Sequence, residues 1–225
     1  MISVIIPVHN GAVYLAEAIN SVLAQTCLPG EVIVVNDGST DDSAAIAGSF
    51  GPPVCCFSIE HSWAAAARNE GIARSKGEWL AFLDADDLWT ADKLEQQLSM
   101  FAADPQLEAV LGMMESFISP ELEPSFQEQV VMPERIQKGF SSGTLLIRRE
   151  SFLRIGSFNP ELRSGEFIDW WARATEQNLR YALLPGVVLR RRLHNNNHTL
   201  QRSNTLQDYT RLALAALQRR RKSDG

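Results

Sequence analysis

The sequence predicts an α/β fold: a doubly wound, mostly parallel central sheet flanked by helices. Short apolar, β-branched runs alternate four times with stretches of helical periodicity between residues 1 and 103. That alternation implies parallel strands joined by right-handed crossovers. The runs are apolar on both faces, as expected of strands covered from both sides. Each run also ends in a polar cluster, and open α/β sheets bind ligands outside the carboxyl ends of their strands.

Ile2 to Pro7 reads as the first buried strand, stopped by proline, with His9-Asn10-Gly11 as the turn beyond it. From Val13, the residues Tyr14, Leu15, Ala18, Ile19, Val22 and Leu23 recur at helical spacing. Pro29-Gly30 breaks the chain, and Glu31 to Val35 forms the second strand, ending in Asn36-Asp37-Gly38-Ser39-Thr40-Asp41. The glycine permits the turn, and Ser39, Thr40 or Asp41 can cap the helix at about 42–49. Val54 to Ile59 is the third strand, ending in Glu60-His61, and an alanine-rich helix over 64–75 carries Arg68 and Asn69. The fourth strand, Glu78 to Leu83, ends in Asp84-Ala85-Asp86-Asp87. The helix after it shows Leu94, Leu98 and Phe101 on one face.

Three carboxylates within four residues do not belong in a core, because unpaired buried charges are costly. At a strand end that opens into a cleft they can share a divalent cation. Oxygen ligands suit Mg2+ or Mn2+. Capping explains each strand-end cluster separately, but not why four of them rim one edge.

The net charge of −6 argues against nucleic acid as a partner, since phosphate backbones require clustered Lys and Arg. Cys27, Cys55 and Cys56 lack metal-type spacing and read as buried, reduced thiols of a cytoplasmic protein. No apolar run approaches the roughly 20 residues of a membrane span, and no signal peptide is evident at the start. The glycine fingerprints of a dinucleotide-binding turn and of a phosphate loop are both missing.

In the second half, Leu107 to Met114 reads as a strand and 117–137 as a long loop suited to a lid. Phe140 to Arg149 is a small polar turn running into a strand, followed by a short helix closed by Gly156. In Ser164 to Arg173, Glu166 and Asp169 stand three apart on one helical face, with Trp170 and Trp171 entering the core. Residues 180–184 and 187–193 read as two strands joined by Pro185-Gly186. Beyond the basic run Arg190-Arg191-Arg192 come His194 and His198. Residues 205–221 read as an amphipathic helix with a basic end, packing on the body, on a second subunit of a homodimer, or against anionic lipid at the inner membrane face. The organisation expected is thus one domain over 1–204, in halves 1–103 and 104–204, with an appended helix and tail over 205–225.

Ile5-Ile6-Pro7-Val8-His9-Asn10, Val34 to Asp41, Ala67-Arg68-Asn69-Glu70-Gly71 and Phe82 to Asp87, in this order and spacing, resemble family 2 glycosyltransferases of the GT-A fold. The resemblance is strong over the first 90 residues and looser to about residue 200. It implies a nucleotide-sugar-dependent transferase that makes polysaccharide, glycolipid or glycoprotein. By the resemblance, Pro7, His9 and Asp37 bind the nucleoside, and Arg68 and Asp84 lie by the ribose or diphosphate. Asn10 and Ala85, within the same motifs, join that nucleotide-sugar site. Asp86 binds the metal, and His194 closes over the diphosphate or completes the metal shell. The donor implied is a nucleoside diphosphate sugar, with a UDP-sugar expected, although nothing at the strand ends distinguishes uracil from thymine or guanine. The acceptor is a hydroxyl, on a sugar or a lipid-linked molecule.

One departure stands out. Family members carry a Glu-Asp pair whose aspartate is the catalytic base, and here Phe167 occupies that aspartate's place. Asp169 is then expected as base with Glu166 on acceptor hydroxyls, or the two exchange roles. The reaction expected is inverting and metal-dependent. Two alternatives follow from the same residues: a nucleotide-sugar binder without catalysis, which Phe167 favours, and a sugar nucleotidyltransferase, which would need a glycine-rich basic loop where Val8-His9-Asn10-Gly11 stands.

Overall fold

The computed structural model describes residues 1–120, 122 and 136–194. Most of the expected 117–137 loop, His198, and the expected helix with its basic tail lie outside the described residues.

A single nine-stranded sheet runs through both halves of the chain. Its first half is the four-fold strand-helix alternation: β1 (Ile2–Val8), α1 (Leu15–Leu23), β2 (Glu31–Asp37), α2 (Ser43–Ser49), β3 (Val54–Ile59), α3 (Trp63–Arg74), β4 (Trp79–Phe82) and, after a two-residue strand β5 (Leu88–Trp89), α4 (Lys93–Ala103). Strands β3, β2, β1 and β4 lie side by side and parallel in that order. Their carboxyl ends therefore share one edge.

The second half adds β6 (Ala109–Ile118), β7 (Ile136–Lys138), a 3-10 turn (Ser142–Thr144), β8 (Leu146–Arg148), α5 (Arg149–Ile155), α6 (Glu166–Glu176) and β9 (Tyr181–Leu193). β8 is antiparallel to β4 and β6, while β6 and β9 form a long parallel ladder. β5 closes the far edge antiparallel to β9, and β7 pairs β6. The long ladders are parallel and the short ones antiparallel, which is the mostly parallel sheet expected.

Alternation along β1 explains the layers. Val4, Ile6 and Val8 pack with Leu15, Ala18, Ile19 and Val22 of α1, whereas Ile5 joins Leu80, Phe82 and the aromatic side chains of α5 and α6 on the other face. Pro7 is tolerated in this central strand because β4 pairing ends at Phe82 opposite Ile5, so the missing N–H faces no ladder partner on that side. α3 lies unusually close to the sheet: a methyl on Gly71 would come 2.5 Å from Ile5 Cγ2.

Four expectations are corrected. β9 is one strand, not two, because β6 absorbs the Pro185-Gly186 irregularity through register shifts between Leu111 and Met114. β6 extends to Ile118, and β5 was not expected at all. The three cysteines are free but only half-buried. Cys55 and Cys56 lie on β3, the edge strand of the sheet among the described residues. On α4, Lys93 and Gln97 are fully buried beside the expected Leu94 and Phe101, with the Gln97 amide donating to the carbonyls of Val110 and Thr144.

Candidate active site

The four polar clusters meet at one sheet edge. His9 Nδ1 donates to the Asp37 carbonyl at 2.6 Å, and Asn10 Nδ2 lies 3.3 Å from His9 Nε2. Asn10 adopts φ 51°, a left-handed conformation that asparagine tolerates, which lets its N–H reach Ser39 Oγ (2.9 Å) and its side-chain oxygen accept from the Thr40 N–H (2.8 Å). Ser39 and Thr40 thus bind the β1 turn rather than cap α2. Asp41 accepts from the Ser43 N–H and from the Ala12 N–H, while the N-cap position itself, Asp42, makes no side-chain cap bond. Burial pushes the Asp41 carboxyl up, but the hydrogen bonds from Ser43 and Ala12 outweigh that and hold it below the usual range.

Asp37 is almost wholly buried at the end of β2. Its Oδ1 accepts the Ser62 N–H at 2.6 Å, and its Oδ2 stands 3.0 Å from His61 Nδ1. The His61 and His9 rings stack with centroids 4.1 Å apart. Gly38, at φ 65°, makes the approach possible, since a Cβ there would lie 2.9 Å from the His61 nitrogen. A Cβ at Gly11 would meet Val8 Cγ2 at 2.7 Å and would lie in ordinary contact, 3.5 Å, with the Ala85 methyl of the acidic loop.

In the acidic loop, Asp84 and Asp86 are half-exposed, whereas Asp87 is buried. The Asp87 N–H donates to the Asp84 carbonyl and its Oδ1 accepts the Arg192 N–H at 2.9 Å. Burial, then the charges of Asp86 and Asp84, push the Asp87 carboxyl well above its usual range. Asp86 Oδ2 lies 2.9 Å from His194 Nε2.

Arg192, buried at the end of β9, holds this arrangement in place. Its Nε donates to the Asp86 carbonyl (3.0 Å), its Nη1 to Ser119 Oγ (3.1 Å) and its Nη2 to Glu17 of α1. Its guanidinium covers the rings of Tyr14 and Phe117, and Tyr14 also packs on His194. No local signal singles Arg192 out: strand alternation puts Arg190 on the same face of β9, and Arg190 is exposed.

Arg68 joins the two halves of the sheet. Its Nη2 donates to Asp84 Oδ1 and its Nη1 to Glu166 Oε1, each at 2.5 Å. The guanidinium is buried. Desolvation opposes its charge, but the two carboxylates outweigh this and push its pKa upward. Its Nε is buried without a hydrogen-bond partner among the described residues. Asp169 takes a different position: buried, it accepts from Arg173 Nε at 3.0 Å, and Arg173 in turn donates to the carbonyls of Ile155 and Ser157. Phe167 faces inward, stacked beside Trp170 and Trp171.

Every residue expected at the site lies among the described residues. His9, Asn10 and Asp37 form one hydrogen-bonded group, and Asp84, Arg68 and Glu166 a second. Asp86 and His194 pair, while Pro7 and Ala85 line the backbone between these groups. Asp169 is tied instead to Arg173. His61, present in an expected cluster but assigned no role, is the residue the sequence reading left out.

Two groups offer ligands for a cation. Asp86 and His194 form a pair of one carboxylate and one imidazole, a donor set compatible with Mn2+ or Mg2+, whereas the Asp84 carboxylate is held by Arg68. His9, Asp37 and His61 bring ligand atoms within 4.8 Å of one another. Both Nδ1 atoms of the latter group face Asp37 oxygens, so they serve as donors there.

Comparison with known proteins identifies the family and the fold. The family profile described as "Glycosyl transferase family 2" matches residues 3–159. An uncharacterized glycosyltransferase of Rickettsia typhi is 32% identical over 94% of this chain and 70% of its own length. One from Rickettsia prowazekii is 30% identical over 93% of this chain and 69% of its own. Among solved structures, S. aureus TarS residues 1–349 in complex with UDP-GlcNAc superposes with a TM-score of 0.70 at 21% identity, covering 90% of this chain and 61% of that one. A longer TarS chain gives 0.68 at 24% identity, with this chain spanning 36% of it. At these identities the structural likeness speaks to fold.

Proposed function

This chain belongs to glycosyl transferase family 2, and on that footing we propose that it moves a sugar from a nucleoside diphosphate sugar to a hydroxyl acceptor, inverting the anomeric centre with the help of Mn2+ or Mg2+. One observation carries the reading. Arg68 ties Asp84, in the expected donor half, to Glu166, in the expected acceptor half and 98 residues beyond Arg68 in sequence.

His9 and Asp37 would receive the nucleoside. Asp37 is buried, so its carboxylate needs a donor when a ligand fills the site. A base with a ring N–H, as in uracil, thymine or guanine, supplies one, whereas cytosine and adenine present a lone pair. TarS, which shares the fold, was solved with UDP and with UDP-GlcNAc, and this supports a UDP-sugar donor.

Asp86 and His194 would hold the cation, whose chemistry is Lewis-acid stabilisation of charge on a departing diphosphate. Arg68 orients Glu166 and Asp84 together. Glu166 would accept the proton of the acceptor hydroxyl as that oxygen attacks from the face opposite the diphosphate. Because Arg68 places Glu166 beside Asp84 of the acidic loop, whereas Arg173 ties Asp169 to the backbone around Ile155 and Ser157, we assign Glu166 the base and Asp169 the anchoring of α6. The acceptor class, a sugar or a lipid-linked hydroxyl, stays as the resemblance implies.

The structural fate of Phe167 favours a second reading, a nucleotide-sugar binder without transfer. Turnover of UDP-sugars with and without EDTA, in the native protein and in Asp86→Ala, separates the two. Loss of transfer under both treatments supports the metal-dependent enzyme, and transfer that survives both overturns the cation. Binding without turnover on any acceptor supports the silent binder.

A further inference from the structure

We propose that the His61 side chain occupies the position a nucleobase would take and must swing out before a nucleotide binds. The inference rests on the nucleoside reading of His9 and Asp37.

A planar base entering this site needs an aromatic face to stack on and an acceptor for its ring N–H. His9 offers the face and Asp37 the acceptor. The imidazole of His61 now uses both. It stacks on His9 at 4.1 Å with the planes 30° apart. Its Nδ1 lies 3.0 Å from Asp37 Oδ2 and 3.2 Å from the Asp37 carbonyl. Two acceptors around Nδ1 require that nitrogen to carry the proton, so His61 donates as a base would. A 4.1 Å stack leaves no room for a base on the same face of His9, and a base N–H aimed at Asp37 Oδ2 would compete there with His61 Nδ1.

The rest of the segment is built to stay while the ring leaves. Ser62 N–H holds Asp37 Oδ1 at 2.6 Å, independently of the imidazole. Gly38 seats the His61 backbone against β2. Trp63, next in the chain, has φ 70°, a left-handed backbone that a bulky side chain adopts only under constraint. Its ring stands 4.8 Å from His61 and is covered by Arg163 at 4.9 Å. The His61 side chain itself is 37% exposed. In this arrangement His61 keeps a buried carboxylate paired when no ligand is present, and in doing so it weakens nucleotide binding.

The test is calorimetric titration of UDP in the presence of Mn2+ into the full chain and into His61→Ala and His61→Phe, with inorganic pyrophosphate as the ligand lacking a base. Removing one hydrogen bond and one ring contact from the free state should tighten UDP binding about threefold to tenfold in His61→Ala. His61→Phe, which keeps the stack and loses the donor, should fall between, and pyrophosphate affinity should not change. In the native protein, NMR should show the His61 ring resonances moving toward those of a solvated imidazole as UDP saturates, an observation that needs no variant. Unchanged or weaker UDP binding by a folded His61→Ala, or His61 resonances that do not move on saturation, overturns the inference alone. If the native protein binds no nucleoside diphosphate, the functional reading falls and this inference with it.

Discussion

Asp86 Oδ2 and His194 Nε2 stand 2.9 Å apart although 108 residues separate them in the chain. The contact exists because Arg192, two residues before His194, bonds the Asp86 carbonyl through its side chain and the Asp87 carboxylate through its backbone. If the pair holds a cation, His194→Ala should raise the Mn2+ concentration for half-maximal transfer about tenfold or more. Asp86→Ala should abolish the response to Mn2+. Metal titration of initial rates checks both, and an unchanged midpoint in His194→Ala removes that residue from the cation site.

Arg68→Ala leaves Glu166 facing Asp84 without the cation between them. Truncating one partner of a buried pair typically costs about 3–5 kcal/mol. Asp84 is 39% exposed, so solvent screens part of this and about 2–3 kcal/mol is expected from urea unfolding. Arg68→Lys should recover little, because an ammonium cannot reach both carboxylates with a fork. Full rescue by lysine would show that charge alone matters at this position.

Glu166→Gln should lower kcat on the order of 10²- to 10⁴-fold with UDP affinity nearly unchanged, the signature of a lost general base. Asp169→Asn should instead lower stability and change kcat modestly, since its partner is Arg173. The reverse pattern of kcat losses would return the base to Asp169.

Gly71→Ala should destabilise the protein by about 1–3 kcal/mol through overpacking, because the new methyl would meet Ile5 Cγ2 at 2.5 Å on both a rigid strand and a rigid helix. Arg68 lies one turn earlier on α3, so weaker UDP binding should accompany the loss. Denaturant midpoints and UDP titration test the two effects separately.

Lys93 is fully buried, its Nζ donates to Gln97 Oε1 at 2.8 Å, and burial pushes its pKa well below the ordinary value. The Trp89 face 4.1 Å away favours the ammonium, but no carboxylate pairs with Lys93 among the described residues, and burial outweighs the ring. The folded chain therefore lacks a proton that the unfolded chain carries. Stability should rise with pH from the depressed folded value up to about 10.4, by at most about 1.4 kcal/mol per pH unit. Urea unfolding across pH 7 to 10 should show that slope in the native protein and a flatter one in Lys93→Met.

Much of the fold was legible because local chemistry repeats it. Four apolar runs with polar ends required a parallel sheet, and a parallel sheet required those ends to share an edge. The clusters holding His9, Asp37, Asp84 and Asp86 could be placed on that ground, while the choice of these residues within them came from the family resemblance. β9 was misread as two strands because Pro185-Gly186 looks like a break, and only the pairing with β6 shows that a bulge absorbs it. Lys93 and Gln97 were invisible as core residues, since a polar side chain is buried only when partners from other elements receive it.

What the sequence determined by itself was the alternation of elements, the edge on which polar side chains gather, and the family to which the motifs point. What tertiary structure alone decided was which charges pair. Arg68 chose Glu166 over its neighbour Asp169, Arg192 turned inward from a run of arginines, and His61 came to rest on His9 and Asp37. Periodicity is written in neighbouring residues, whereas an ion pair or a ring stack depends on distances of a few ångströms between segments that only folding brings together.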